Sequence, residues 1–149
     1  MKPQEPQRIL LATDFSPCSQ PASDYAAVLA RRFGAGLHLL YVAQPPTFVS
    51  PEAISVVDEA IDAEVHDGHV RLDRALAELQ RADVRANGEV IVGFASDVIV
   101  AAAASGKHDL VVIGTHGRGG IKHLVLGSVA EQVVRRSPIP VLTVRAPAR

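Results

Sequence analysis

The sequence alternates between short, continuous apolar runs and longer segments in which apolar residues recur every three or four positions. The continuous runs are typical of strands that helices cover on both faces. They predict five strands, at residues 8–13, 37–43, 84–92, 109–113 and 140–145. The pair Asn87-Gly88 is also a hairpin-turn signal, so two interpretations of the start of the third strand stay open.

The segments with helical spacing predict four helices between these strands. They lie between the start signals at residues 16–19 and the stop signal at Gly34, and at residues 51–83, 95–104 and 127–136. The second helix is by far the longest, and a glycine inside it, Gly68, is expected to weaken it.

The regular alternation of strand and helix indicates right-handed crossovers and a mostly parallel sheet with helices on both faces. Ligands of such folds bind beyond the carboxyl ends of the strands, where the strand order reverses. The loop that carries Asp14 and the loop that begins at Gly114 should therefore meet at one site. With 149 residues and no internal repeat or domain-scale linker, the chain is predicted to be one domain over residues 1–149.

Composition narrows the classes of function further. Fifteen basic and sixteen acidic residues give a net charge of −1, with no basic block that could neutralise nucleic-acid phosphates. Cys18 is the only cysteine, so no intrachain disulfide is possible, which fits a reducing compartment. The longest apolar run, residues 98–104, is too short to cross a bilayer. We therefore expect a cytoplasmic protein with neither nucleic acid nor a membrane as its partner.

Candidate chemistry lies in the glycine-rich loop over residues 114–128. The loop lacks the Gly-Lys-Ser/Thr close of a Walker A motif and the Gly-x-Gly-x-x-Gly spacing of dinucleotide-binding folds. It still has small residues that let backbone N–H groups approach an anion, followed by a helix N-terminus at Gly127-Ser128. These features predict a phosphate site.

The pattern Gly-x2-Gly-x9-Gly-Ser, at Gly114, Gly117, Gly127 and Ser128, resembles the ATP-binding loop of the universal stress protein family. The resemblance extends to residues 9–16, 40–42, 109–114 and 137–144, and so covers nearly the whole chain. It implies a Rossmann-like α/β fold of the adenine nucleotide alpha hydrolase type. It also implies five parallel strands in the order 3-2-1-4-5 and bound ATP with Mg²⁺ or Mn²⁺.

The resemblance also implies roles for individual residues. Asp14 would hold the ribose hydroxyls, and the backbone of Val42, with Ala12 and Thr13 beside it, would face the adenine. The phosphates and ribose would be held by Gly114, Gly117, Gly127, Ser128 and the amide of Val129. The same predicted nucleotide site includes Ser16, Ile113, Thr115, His116 and Arg118.

The sequence departs from the family pattern at two positions near this site. Phe15 stands where many members have glycine, and Ala95 stands where many have proline after the third strand. Neither change removes a motif residue, so nucleotide binding stays the favoured interpretation.

Several of these residues have a simpler alternative role. Asp14 is also a common turn residue at a strand end, and Ser128 with Glu131 has the spacing of a capping box, which would occupy the serine hydroxyl. Three further side chains of the loop, Arg118, Lys122 and His123, are either phosphate donors or solvated charges.

The remaining candidates for chemistry are weaker. His116 has no carboxylate near it in sequence that could orient it as a base. His66 and His69 are too few for a metal site, and His69 is better interpreted as a core or interface residue. Cys18 lacks a catalytic partner and is expected to be inert.

Three functions follow from these observations. The first is a nucleotide-dependent regulatory or stress-response module that binds ATP. The second is a slow ATP hydrolase or nucleotide-transfer enzyme on the same fold, against which stands the lack of an evident general base and of a Walker B-like carboxylate. The third is a stress protein dimer that binds no nucleotide. The resemblance also implies a homodimer joined through strand 140–145.

Overall fold

The computed structural model describes residues 4–47, 50–116 and 126–147. Strands and helices alternate along them, and a short 3-10 turn at Pro51–Ala53 precedes the longest helix. The elements are β1 (Arg8–Ala12), α1 (Gln20–Phe33), β2 (Gly36–Ala43), α2 (Ile54–Arg81), β3 (Ala86–Val92), α3 (Ala95–Ala104), β4 (Leu110–Gly114), α4 (Ser128–Arg136) and β5 (Val141–Val144).

The five strands form one parallel sheet in the order β3-β2-β1-β4-β5. The predicted fold class and strand order are therefore confirmed. β1 lies at the centre, and Ile9, Leu10 and Leu11 on it are 0–1% exposed. This burial explains the continuous apolar run, because helices cover both faces of the strand.

Alternate residues of β1 belong to two separate cores. Ile9 and Leu11 pack with the alanines of α1 and with Leu72 of α2 on one face. Leu10 and Ala12 pack on the other face with residues of α3 and α4, such as Ile99. The two-residue period of the strand therefore divides the helices into one pair on each face.

The first helix begins directly after Ser19, the last of its predicted start signals. Ser19 occupies its N-cap position but makes no side-chain cap, and the helix ends at Gly34, whose φ of 63° lies in the left-handed region. Glycine reaches this region without a Cβ penalty, which makes it a common helix stop.

The predicted weak point at Gly68 does not interrupt α2. The helix continues through it, and a Cβ built on Gly68 would lie 2.8 Å from two ring carbons of Tyr41. Glycine is therefore needed at this position because the buried ring of Tyr41 lies against the helix. His69, the next residue, is exposed, so its interpretation as a core histidine is also wrong.

The hairpin alternative at Asn87-Gly88 is wrong as well. Both residues lie inside β3, where they pair in parallel with His38 and Leu39 of β2. A Cβ on Gly88 would come within 2.7 Å of the Leu39 carbonyl oxygen. This glycine thus reflects a close approach between neighbouring strands and not a turn.

Among the residues described, no helix combines the length and the apolar character that crossing a bilayer requires.

Candidate functional site

A cavity of about 480 Å³ opens at the carboxyl end of the sheet. It lies where β1 is flanked by β2 on one side and β4 on the other, which is the point where the strand order reverses. The predicted site residues that line it are Ala12, Thr13, Asp14, Val42, Ile113, Gly114, Thr115, His116, Gly127, Ser128 and Val129. The sequence therefore identified most of its wall.

The segment after β1 is held in a tight turn by its own side chains. One carboxylate oxygen of Asp14 accepts a hydrogen bond from the Ser16 N–H at 2.9 Å, and the Thr13 hydroxyl oxygen accepts one from the Phe15 N–H at 3.0 Å. The turn role proposed for Asp14 is therefore real. The same residue also lines the cavity, so its part in the turn does not remove it from the cavity wall.

Ser16 supports this turn and does not line the cavity. It is 8% exposed, and its hydroxyl oxygen accepts the Ser19 N–H at 3.2 Å. The Ser19 hydroxyl donates in return to the Ser16 carbonyl at 3.0 Å and lies 3.3 Å from the Thr13 hydroxyl. Ser16 therefore positions the loop that carries Asp14.

On the β4 side, the segments before and after residues 117–125 are joined at the cavity. The Gly127 N–H donates to the Thr115 carbonyl oxygen at 2.6 Å, and a Cβ on Gly127 would lie 2.9 Å from that oxygen. The φ of Gly127 is −70°, so this position needs glycine for the close approach and not for its dihedral angle. The predicted ligands Gly117 and Arg118, together with Lys122 and His123, lie outside the described residues.

The helix that follows presents its N-terminus to the cavity. Gly127 is the N-cap of α4, with no side-chain cap, and the first two helical residues, Ser128 and Val129, line the cavity. Glu131 pairs with Arg135. Ser128 is therefore not the N-cap, and the capping-box interpretation is wrong.

Comparison with known proteins agrees with this architecture. The universal stress protein family profile matches residues 5–145. A relative, universal stress protein MJ0531 from Methanocaldococcus jannaschii, is 30% identical over 143 residues, which are 96% of this chain and 84% of the relative. The chain belongs to the universal stress protein family.

Solved structures of other universal stress proteins have the same fold. UspA from Lactobacillus plantarum superposes with a TM-score of 0.88 at 25% identity, over 96% of this chain and all of that one. A universal stress protein in complex with cAMP matches with a TM-score of 0.65 at 26% identity, over 95% of this chain and 98% of that one.

Aliphatic side chains form part of the cavity wall in this universal stress protein. Leu40 and Val42 of β2, Ala95 and Ile99 of α3, and Ile113 of β4 line the cavity. Leu40 is 1% exposed and Ile99 is 3% exposed. The wall thus combines apolar side chains with the glycine and the helix N-terminus that follow β4.

Four polar residues of the wall were missed as site residues by sequence reasoning: Ser19, Tyr41, Gln44 and Glu64. The Ala95 N–H donates to the Gln44 side-chain oxygen at 3.1 Å, and the Tyr41 hydroxyl donates to a Glu64 carboxylate oxygen at 3.0 Å. The only signals in the sequence were weak. Gln44 lies just past the end of β2, and Glu64 lies about one helical turn before Gly68.

The first family departure, Phe15, takes an unusual backbone conformation. Its φ is 55°, in the left-handed region that bulky residues rarely adopt. Its ring stacks on Tyr41, with centroids 5.6 Å apart and an interplanar angle of 22°. The stacking offsets part of a conformational cost of about 1–3 kcal/mol and ties the turn of Asp14 to the sheet.

Within the described parts of the chain, no three or more His, Cys, Asp and Glu side chains are grouped so as to hold a metal ion. His66 and His69 are both exposed on α2.

Proposed function

We propose that this universal stress protein binds ATP with Mg²⁺ in the cavity and acts as a nucleotide-dependent regulatory module. The observation that carries the proposal is the polarity of the cavity. The wall combines a glycine-lined helix N-terminus, the carboxylate of Asp14 and a set of aliphatic side chains. A nucleotide has a matching phosphate, ribose and base.

The phosphates would lie against Gly114, Gly127 and the first turn of α4. The helix N-terminus offers partial positive charge and backbone N–H groups to an anion. A Cβ on Gly114 would meet no other residue's atoms closer than 3.5 Å, apart from its chain neighbours, so the protein's own packing does not require glycine there. Close approach of a ligand would explain why this position is glycine. Mg²⁺ would neutralise part of the phosphate charge through phosphate oxygens and water.

The ribose and adenine would lie toward β2. Asp14 would accept hydrogen bonds from the ribose hydroxyls, and the base would lie against the backbone of Val42, between Leu40 and Ile99. Burying an aromatic ring between aliphatic side chains is favourable because it removes apolar surface from water. The cAMP complex of the 26% identical universal stress protein supports an adenine nucleotide as the class of ligand.

Titration calorimetry of the purified chain with MgATP tests this function. We expect saturable binding of one ATP per chain and weaker binding of adenosine, which lacks phosphates. Absence of binding for ATP, ADP and AMP alike would refute the proposal and would favour the stress protein dimer that binds no nucleotide.

We expect any hydrolysis of the bound ATP to be slow. In the described part of the cavity, Asp14 is engaged in the turn, Glu64 accepts from Tyr41, and His116 lies 3.0 Å from the Thr115 hydroxyl. None of them is placed as a dedicated general base. A steady-state turnover of about 1 per second or more, in the range of kinases, would instead favour the enzyme.

We further propose a cytoplasmic homodimer joined through β5. This strand pairs with β4 on one side only and so presents an open edge. The carbonyl groups of Pro140 and Val144 bond to β4, so the alternation of a parallel ladder directs the Thr143 N–H to that edge. The proposed cytoplasmic location rests on the single cysteine, Cys18. It excludes an intrachain disulfide, which fits a reducing compartment.

Light scattering tests the assembly. The unmodified chain should be dimeric at micromolar concentration, and Thr143→Pro should make it monomeric without unfolding it, because the lost donor faces away from β4. A dimer that survives this change in a folded variant must use another surface.

A further inference from the structure

The exposed Gln44 side chain lies at the cavity wall and is anchored there by one hydrogen bond. Its oxygen accepts the Ala95 N–H at 3.1 Å. A backbone N–H can only donate, so the amide must turn its oxygen toward α3 and its NH₂ group away from that contact. The orientation of this amide is therefore fixed by chemistry.

The NH₂ group of Gln44 is left as a donor at the cavity wall. Gln44 lines the cavity together with Val42, two residues earlier, and Ala95. The oxygen bond to Ala95 is the hydrogen bond that its side chain makes within the described residues. A ligand beside Gln44 would therefore meet a donor that lacks an acceptor among the described residues.

We infer that Gln44 reads the base of the bound nucleotide by donating to a ring nitrogen of the purine. This inference rests on the proposed ATP-binding function. The apolar walls formed by Val42, Ala95 and Ile99 suit a flat base, but they carry no hydrogen-bonding information of their own. Adenine has lone pairs on its ring nitrogens, and the Gln44 NH₂ group is a matching donor.

Ala95 is a positioning residue in this arrangement. It is the first residue of α3, a position where proline is well tolerated because its N–H has no partner within the helix. The N–H of Ala95 is what anchors Gln44. Proline at this position would remove that anchor and leave the helix intact.

Two substitutions distinguish the loss of the Gln44 NH₂ donor from the loss of its hydrogen bond to the Ala95 N–H. Gln44→Ala removes both, and Gln44→Glu keeps an oxygen for the Ala95 N–H but loses the NH₂ donor. Each should weaken MgATP binding about three- to tenfold in calorimetry, as expected for the loss of one hydrogen bond. Gln80→Ala, an exposed glutamine at the end of α2, is the matched control and should bind as the unmodified chain does.

The variant Ala95→Pro tests whether Gln44 acts only by capping α3. The backbone of Phe94, with φ −84° and ψ 122°, already suits a residue that precedes proline. A chain with Ala95→Pro needs no cap at this amide. If Gln44 were only a cap, the double variant Gln44→Ala/Ala95→Pro would bind ATP like the unmodified chain; we expect it to bind as weakly as Gln44→Ala.

Deaza analogues identify the contacted atom. ATP analogues that replace N1, N3 or N7 by carbon should be compared on the unmodified chain and on Gln44→Ala. One analogue should bind the unmodified chain about three- to tenfold more weakly than ATP does, yet bind Gln44→Ala as well as ATP does.

The outcomes also distinguish this inference from the proposed function. An unmodified chain that binds no nucleotide refutes both. An unmodified chain that binds ATP, with Gln44→Ala and Gln44→Glu within twofold of it, overturns the role of Gln44 alone. Wild-type affinity in the double variant would reduce Gln44 to a helix cap.

Discussion

The polar groups at the two ends of the same parallel sheet differ in whether they also line a cavity. At the amino end they bond to one another: Asp109 accepts from the backbone N–H groups of Gln7 and Arg8 at 3.1–3.2 Å, and Arg85 donates to the Gly34 carbonyl at 2.6 Å. At the carboxyl end, polar groups line the wall of a cavity.

This contrast assigns stability mainly to the amino end of the sheet and ligand binding mainly to the carboxyl end. A polar group that is bonded within the protein stabilises the fold, whereas one that lines a cavity can transfer its hydrogen bonds to a ligand. In open parallel sheets ligands bind at the carboxyl end of the strands. At the amino end of this sheet, charged side chains bond to the backbone instead. Substitutions at the two ends should therefore have different consequences.

The largest effect is expected from Gly127→Val at the carboxyl end. A side chain there would press on the Thr115 carbonyl oxygen, which lies 2.9 Å from the position of a Cβ, and would push phosphates away from the helix N-terminus. We expect MgATP affinity to fall more than about a hundredfold, from the loss of at least two charge-assisted hydrogen bonds. The fall for adenosine should be much smaller, as calorimetry will measure.

Gly114→Ala is the matched variant that isolates the ligand. Its added Cβ would make only ordinary contacts with the protein, at 3.5 Å or more, so the variant should melt like the unmodified chain. ATP affinity should nevertheless fall. Equal losses for ATP and adenosine in the two glycine variants would mean that these glycines approach the ribose or base and not the phosphates.

The next largest effect is expected from Asp14→Ala. Loss of a charged acceptor for the ribose should weaken ATP binding by about 1.5–3 kcal/mol, or about ten- to 150-fold. Melting temperature should change little, because the turn keeps the bond from the Phe15 N–H to Thr13. Unchanged affinity in calorimetry would remove Asp14 from the site.

The corresponding substitution at the amino end is Asp109→Ala. This change leaves the N–H groups of Gln7 and Arg8 without their carboxylate, and we expect a loss of about 1–2 kcal/mol in the free energy of unfolding. ATP affinity of the folded variant should equal that of the unmodified chain. A large loss of affinity would show that the two ends are coupled and would break the comparison.

The features that the sequence predicted well are local. Continuous apolar runs mark the buried strands, and Asp14 and Gly114 stand at or just past the ends of strands whose order the family resemblance implied. Each of these features depends on residues close to it in the chain, so a single sequence contains the information that predicts it. For the same reason the bounds of α3 were predicted correctly.

The features that the sequence missed depend on residues far apart in the chain. Gln44 becomes a wall residue with a fixed amide because Ala95, 51 positions away, donates to it. Gly68 is explained by the ring of Tyr41, which approaches it only in the folded state. No local pattern encodes these contacts, so the sequence alone did not explain why position 68 is glycine.

The smallest expected effect concerns a histidine pair toward the amino end. His108 stacks on His38, with ring centroids 5.2 Å apart, and its Nδ1 is buried without a hydrogen-bond partner among the described residues. Burial lowers the pKa of His108, and the nearby His38 and Arg8 lower it further, while Asp109 and Glu89 act in the opposite direction. His108 therefore stays neutral in the fold at a pH where the unfolded chain takes up a proton.

The sign of the pH dependence follows from that difference. The unfolded histidine has a pKa of about 6.5, and the folded value lies below it, so between the two the unfolded state binds more protons. The contribution of His108 to stability is thus fully present above pH 6.5 and is lost as the pH falls below it.

Urea unfolding at pH 8 and pH 5.5 should show a smaller loss of unfolding free energy on acidification for His108→Gln than for the unmodified chain. His66→Gln, at an exposed position of α2, is the control and should keep the original loss. If His108→Gln loses as much stability on acidification as the unmodified chain does, the neutral histidine is not what makes the amino end sensitive to acid.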